Sequence, residues 1–323
     1  MLRFFRSTGV VVIVVIFIIG VFSWFHVFNK PEIITFGGSD FFLFNWLTNI
    51  PVAVLGLVLF LAVAFILVHV NTRLRLIEKF SYLPALCYVL LIGGVPEIHL
   101  YSPVIIAAIL LVIAFAILVG SFESERLSYS FFTVSAIISF ATFFYQYMYV
   151  FMPVVWITIA AWRPGYWREW VFSVLGFALP YFFAFSWFFL IDGDLNKMSV
   201  LFEEIFTLQS GVPVLSFSFA VFFSASIMLV IFTLWYTLRY IGSKKTTIRT
   251  SYYVLILIAA FTVSMALIVP DNISQAWYLL AFPMSFTISC YLANVKSMRW
   301  GTFVLAIFFA GVVIAQAVYL SEW

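Results

Sequence analysis

PVIIAAILLVIAFAILV, residues 103–119, carries no charged or polar side chain. As a helix at about 1.5 Å per residue it would rise roughly 26 Å. That is close to the hydrocarbon thickness of a bilayer, about 30 Å. A backbone placed in hydrocarbon finds no water, so its amide and carbonyl groups must bond to one another. An α-helix does this within one segment, whereas a strand needs a closed barrel. The period-2 alternation of a barrel strand is absent here, so the run reads as a membrane helix.

Runs of the same kind recur on both sides. They cover about 8–28, 50–70, 80–94, 128–144, 147–161, 171–191, 215–238, 252–269, 276–293 and 301–319, which with 103–119 makes roughly eleven. The spans at 80–94, 128–144 and 147–161 are short for a bilayer, and each suits a tilted, re-entrant or broken helix. Composition agrees. Hydrophobic residues make up 65% of the chain and charged residues 9%; mean hydropathy is +1.17. A soluble domain carries roughly 25% charged residues, and 9% cannot coat a chain of this length. The expected fold is therefore all-α, a single polytopic transmembrane domain over 1–323. Arg3 and Arg6 lead into the first span like a signal sequence, but no small-x-small site precedes Lys30, so a retained anchor is expected.

Charge placement orients the spans. With the N-terminus cytoplasmic and eleven alternating crossings, all but Lys30 and Lys197 of the sixteen Lys and Arg fall inside. Of the acidic residues, Glu32, Asp40, Glu97, Asp192, Asp194, Glu203, Glu204, Asp271 and Glu322 fall outside. Lys and Arg in short loops stay on the side of synthesis. This predicts a multi-pass protein of the bacterial inner membrane with its C-terminus outside. In the longest outer loop, NKMSVLFEEIFTL spaces Met198, Leu201, Ile205 and Leu208 as an interfacial helix would.

Against this background WRPGYWREW, 162–170, stands out. It falls on the cytoplasmic side, between the sixth and seventh spans. Trp162, Trp167 and Trp170 suit the headgroup layer, where an indole is wetted at one edge. Pro164 and Gly165 suit a tight reversal. Arg163 and Arg168 suit lipid phosphate, and Glu169 suits an Arg partner or the amides opening the next helix. The expected role is an interfacial hinge. The functional alternative is a pocket for a phosphorylated lipid headgroup.

An aromatic–Arg–Pro turn, Arg-Glu-Trp, and then Gly-x-x-x-Pro-Tyr (Gly176, Pro180, Tyr181) resembles an uncharacterised family of polytopic inner-membrane proteins of Bacteroidota. So do the short basic N-terminus, Asn-x-Arg-Leu after the second span (Asn71, Arg73, Leu74), Pro-Glu-Ile after the third (Pro96, Glu97, Ile98), and Ser-Pro opening the fourth (Ser102, Pro103). That family is a domain of unknown function, so the resemblance implies location and architecture. The overall plan is also similar to GT-C membrane glycosyltransferases, which draw sugars from polyprenyl-phosphate donors through a catalytic acid on an outer loop. Fold alone does not fix function.

Candidate chemistry lies on the outer face. Asp40 follows two glycines in ITFGGSDFF, Glu97 and His99 lie in GGVPEIHLYSP, and Asp271 in LIVPDN. Inverting glycosyl transfer needs a carboxylate to take a proton from the acceptor hydroxyl. Asp40 is the candidate base, with Glu97 or His99 orienting the acceptor or holding a divalent ion. Asp40 and Asp271 also suit helix N-caps, since each precedes an apolar run. The outer segments hold no Arg to meet a donor phosphate, only Lys30, Lys197 and His99, and this weighs against the transferase.

Other classes fit less well. GxSxG and HExxH are absent. Cys87 and Cys290 lie in apolar runs and read as small buried hydrophobes. No Asp, Glu, Lys or Arg sits at the middle of a span, which disfavours proton- or ion-coupled transport. Gln146, Gln275 and Gln316 lie nearer span ends and are expected to be interfacial amides. Lipid or glycan translocation and a non-catalytic scaffold remain as alternatives, the latter suited by Phe185, Trp187, Phe188 and Phe189. No cofactor, metal site or nucleic-acid partner is expected. The expected partners are membrane lipid, a polyprenyl-phosphate lipid among them, and a further membrane protein.

Overall fold

A computed structural model describes residues 10–29, 49–77, 81–96, 103–122, 127–191, 217–242, 244–269, 273–295 and 297–321. All regular elements among them are helical. The α-helices are α1 (Val10–Asn29), α2 (Asn49–Leu74), α3 (Leu83–Gly93), α4 (Pro103–Gly120), α5 (Leu127–Ala141), α6 (Met152–Trp162), α7 (Trp167–Ile191), α8 (Phe217–Ile241), α9 (Thr246–Ile268), α10 (Ile273–Asn294) and α11 (Met298–Ser321). A 3-10 turn, Gln146–Phe151, leads into α6. The chain is thus an all-α polytopic membrane protein whose α-helices match the predicted spans one for one. Seven of them, α2, α4 and α7–α11, are long and apolar enough to cross a membrane. The expected shortness of spans three, five and six is reproduced in α3, α5 and the 3-10 turn with α6.

The centre of the bundle is α3 packed on α10. Every residue of α3 is buried, and so is 94% of the membrane window of α10. Yet α10 has the lowest mean hydropathy of the seven long helices, 1.3, while α7 at 1.5 is only 17% buried. Lipid tails are as apolar as Leu, so the least apolar helix gains most from the interior, where small and hydroxylated residues pack closely. Ser285 and Thr287 of α10 bond within their own helix, donating to the Phe282 and Met284 carbonyls at 2.7 and 2.9 Å. Cys87 and Cys290, one on each central helix, are buried and unbridged, as expected.

Helix ends sort into two sets. At one end, the α11 side chain Gln316 donates to Gly93 O of α3 at 2.6 Å and to Ser23 O of α1 at 3.3 Å. There too Trp277, in the first turns of α10, donates to Leu91 O of α3 at 2.9 Å, and Phe223 near the start of α8 packs on Trp277. At the other end, Tyr236 and Tyr240 of α8 bond to Asn294, the last residue of α10, at 3.2 and 2.9 Å. The start of α9 meets the chain just past α2 through Tyr252, which donates to Leu76 O at 3.4 Å. Phe122, past α4, packs on Trp162 at the end of α6. Each pairing agrees with strict alternation of eleven helices. Gln316, expected as an interfacial amide near a span end, is 6% exposed and ties three helices together, because a buried amide is costly unless its donors find carbonyls.

The chain reverses after α2 with Arg75 in the left-handed region, φ 50°. Asn71 Oδ1 accepts the Ile77 amide at 3.0 Å and closes that turn, a physical role for the first residue of the Asn-x-Arg-Leu pattern.

The helices α5 and α7 run parallel and are joined by a hydrogen-bond ladder of nearly constant offset. Ser135 and Ser173 hydroxyls lie 2.9 Å apart, Ser139 donates to Phe177 O at 2.6 Å, and Thr142 and Tyr181 hydroxyls lie 2.6 Å apart. Gly176 sits where the two backbones come closest, and a Cβ there would overlap the Phe132 carbonyl oxygen. Pro180 lies inside α7 and removes the amide that would pair with the Gly176 carbonyl. Gly-x-x-x-Pro-Tyr is therefore a packing motif: Gly admits the neighbour, Pro opens the backbone, and Tyr closes the ladder. Gly176→Leu should lower thermal stability in detergent by about 3 kcal/mol, since the obstructing atom is backbone and cannot swing away. Ser135→Ala should cost only about 0.6 kcal/mol, the usual worth of an interhelical hydrogen bond in a membrane protein. Equal effects would show that the close approach is not what fixes the pair.

Candidate membrane-interface site

WRPGYWREW joins the end of α6 to the start of α7. Gly165 has φ +93° with open space around it, so the reversal needs a residue free of the Cβ penalty. Trp162 is half-buried, its ring edge-on to Phe122 at 4.8 Å and tilted against Phe131 at 6.4 Å. Tyr166, Trp167 and Trp170 face outward, Trp167 with 75% of its surface open. One indole locks the hinge to the bundle, and the other two are free to meet the headgroup layer.

Both guanidiniums lie over aromatic rings. The Arg163 carbon is 5.6 Å from the Tyr166 ring centre, and the Arg168 carbon is 5.3 Å from that of Phe172. The same end of the bundle holds Arg239 over Trp235 at 3.8 Å and Lys244 Nζ over Tyr240 at 4.3 Å. A cation over a π face is held by the ring quadrupole rather than by an acid. All the described cations, Arg73, Arg75, Arg163, Arg168, Arg239, Lys244, Lys245, Arg249 and Arg299, lie at or beside helix ends of this one set.

Glu169 was expected to meet an Arg or the amides opening α7, and neither pairing is made by its Oε2. It is 6% exposed, and its Oε2 is enclosed without a hydrogen-bond partner. Arg168 precedes it directly on α7, and successive helical residues do not face each other. It is also the one acidic residue among those described.

The outer-face candidates Asp40, Glu97, His99 and Asp271 lie outside the described residues, as do Lys30, Lys197 and the segment NKMSVLFEEIFTL. What the structure does place is the helix ends from which their loops depart, all in the set tied by Gln316 and Trp277. Among the described residues no three His, Cys, Asp or Glu side chains cluster as metal ligands. A cavity of about 20 Å³ among α4, α5, α6 and α9 is lined by Leu111, Phe115, Val134, Ile138, Val155 and Ile258. Its apolar walls offer nothing to a polar substrate.

The chain matches no protein-family model, and no curated protein or solved structure matches it.

Two features escaped the sequence reading. The α5 ladder was signalled by Ser135, Ser139 and Thr142, spaced four and three apart on one helical face. The burial of Glu169 had no signal, since its position at a helix start reads equally as an exposed first-turn acid. In detergent, Trp162→Ala should lower stability by about 2 kcal/mol through lost ring contacts. Trp167→Ala should stay within about 0.5 kcal/mol. Thermal unfolding of the two variants side by side checks which indole holds the hinge.

Proposed function

We propose that this is a bacterial inner-membrane protein, cationic end in the cytoplasm, that acts at the outer face in envelope glycan or lipid handling. Its enzymatic form would be GT-C-like transfer of sugar from a polyprenyl-phosphate donor, and its architecture the one implied by the Bacteroidota family resemblance. One observation supports the reading best. Gln316 bonds α11 to the outer halves of α1 and α3, and Trp277 bonds the start of α10 to the end of α3. The loop after α1 carries Asp40, the loop after α3 carries Glu97 and His99, and the loop before α10 carries Asp271. Three loops far apart in sequence therefore leave the bundle from neighbouring helix ends, as a shared carboxylate site requires.

The helical body supports the same division of labour. Many of its described hydroxyls bond helix carbonyls or one another, Tyr88, Tyr145, Tyr147 and Ser226 being buried without a hydrogen-bond partner, and its described charges lie at helix ends. Chemistry is then left to the outer loops. In this reading Asp40 takes the acceptor proton, Glu97 and His99 orient the acceptor, and the donor is a polyprenyl-phosphate lipid within the bilayer. A further membrane protein remains a fitting partner for the exposed Phe185, Trp187 and Phe189 of α7.

Two measurements test this. With Cys87 and Cys290 replaced by Ala, Asp40→Cys and Glu97→Cys should be joined by a short bifunctional thiol reagent. Asp40→Asn should abolish sugar transfer from a polyprenyl-phosphate donor in right-side-out vesicles while elution from a sizing column is unchanged. Failure of the crosslink sinks the shared site, and full transfer by Asp40→Asn sinks its role as base.

A further inference from the structure

We propose that the α6–α7 hinge binds a phospholipid bearing a primary amine, with Glu169 meeting the ammonium and Arg163 and Arg168 meeting the phosphate. This goes beyond the outer-face reading and stands apart from it, since the hinge lies at the opposite, cationic end.

The proposal starts from an enclosed carboxyl oxygen with no partner among the described residues. Glu169 retains 6% of its surface, and Oε2 accepts no hydrogen bond. A carboxylate withdrawn from water is stable only when paired or neutralised. The first turn of α7 lends it a favourable dipole but, among the described residues, no side-chain partner. Arg168, the adjacent residue, projects away toward Phe172, and Arg163 rests over Tyr166. Among the described residues the hinge thus holds a carboxyl group and two guanidiniums without pairing one with the other.

A ligand complementary to this arrangement carries both signs a few ångströms apart. A phosphoethanolamine headgroup does. Its ammonium is compact, with three N–H donors, and suits a recessed oxygen that leaves little room. Its phosphate accepts from guanidiniums already held at the surface without an acid partner. Tyr166, Trp167 and Trp170, all exposed on the same hinge, supply the amphipathic rings that sit at headgroup depth. A choline headgroup has the same charges but no N–H, and its methyl groups enlarge the cation. A glycerol headgroup has the phosphate and no cation. The site should therefore rank amine over choline and glycerol lipids, with Glu169 as the residue that discriminates.

The test uses the full chain in detergent with native mass spectrometry. Synthetic lipids of identical acyl chains carry ethanolamine, N-methyl-, N,N-dimethylethanolamine, choline or glycerol headgroups. In the wild type, binding should fall stepwise as N–H donors are removed, with ethanolamine preferred over choline roughly tenfold, the worth of one charge-assisted hydrogen bond. This series needs no variant, so it decides the matter even if a substitution fails to fold. Glu169→Gln should erase the preference and leave general phospholipid binding in place. Arg163→Ala with Arg168→Ala should weaken all the phospholipids together. A flat methylation series in the wild type overturns the proposal, and so does a Glu169→Gln protein that keeps the full ethanolamine preference.

Discussion

Hydrocarbon accepts no hydrogen bonds, and the rest of this structure follows from that. Each backbone amide and carbonyl carried into the bilayer must find a partner within the protein. Helices satisfy the backbone. Side-chain hydroxyls then turn back onto helix carbonyls, as Thr158, Thr262 and Ser289 do, or bridge to a neighbouring helix, as Ser139 does to Phe177. The one long amide at a three-helix junction, Gln316, spends its donors on carbonyls of two other helices. These bonds are modest singly, but each fixes which helices are neighbours, because the alternative is an unpaired group in an apolar medium.

The same constraint inverts the usual relation between hydropathy and burial. In water the most apolar element goes to the centre. Here the solvent is apolar, so apolarity confers no preference for the interior, and close packing and hydrogen bonding decide. Thus α10, with its Ser, Thr, Tyr and Pro, occupies the middle, and α7 turns Phe182, Phe183 and Trp187 outward. Function would divide accordingly. The interior is consumed by packing, and what remains for recognition lies at the two ends: carboxylate-bearing loops at one, and cations resting on aromatic rings at the other.

The fold was largely legible in the residues. Uncharged runs such as 103–119 marked the helices, the short runs marked the short helices, and the shared side of the cations marked the alternation that the packing of helix ends reproduces. The hinge was legible too, because Pro164 and Gly165 break the chain and Trp marks the interface. The partners of individual polar residues were not. Gln316 was expected as an interfacial amide and is buried between helices; Glu169 was expected to meet an Arg or the amides opening α7, and its Oε2 is enclosed without a partner among the described residues. Both outcomes share a cause. Position within a span gives depth along the membrane normal, whereas burial depends on which way the helix is turned, and low hydrophobic contrast around these helices leaves that rotation unmarked.

The sequence by itself determined the solvent, the number of helices and the common side of the cations, since these depend on local composition and on which loops carry Lys and Arg. Tertiary structure alone decided that α3 and α10 form the centre, that α5 lies parallel to α7 through Gly176, and that the loops bearing Asp40, Glu97 and Asp271 leave from adjoining helix ends. Those outcomes rest on pairing between residues far apart in the chain, on small side chains admitting a neighbour's backbone, and on amides reaching particular carbonyls. In a medium where every helix face is nearly as apolar as the next, no local pattern encodes them.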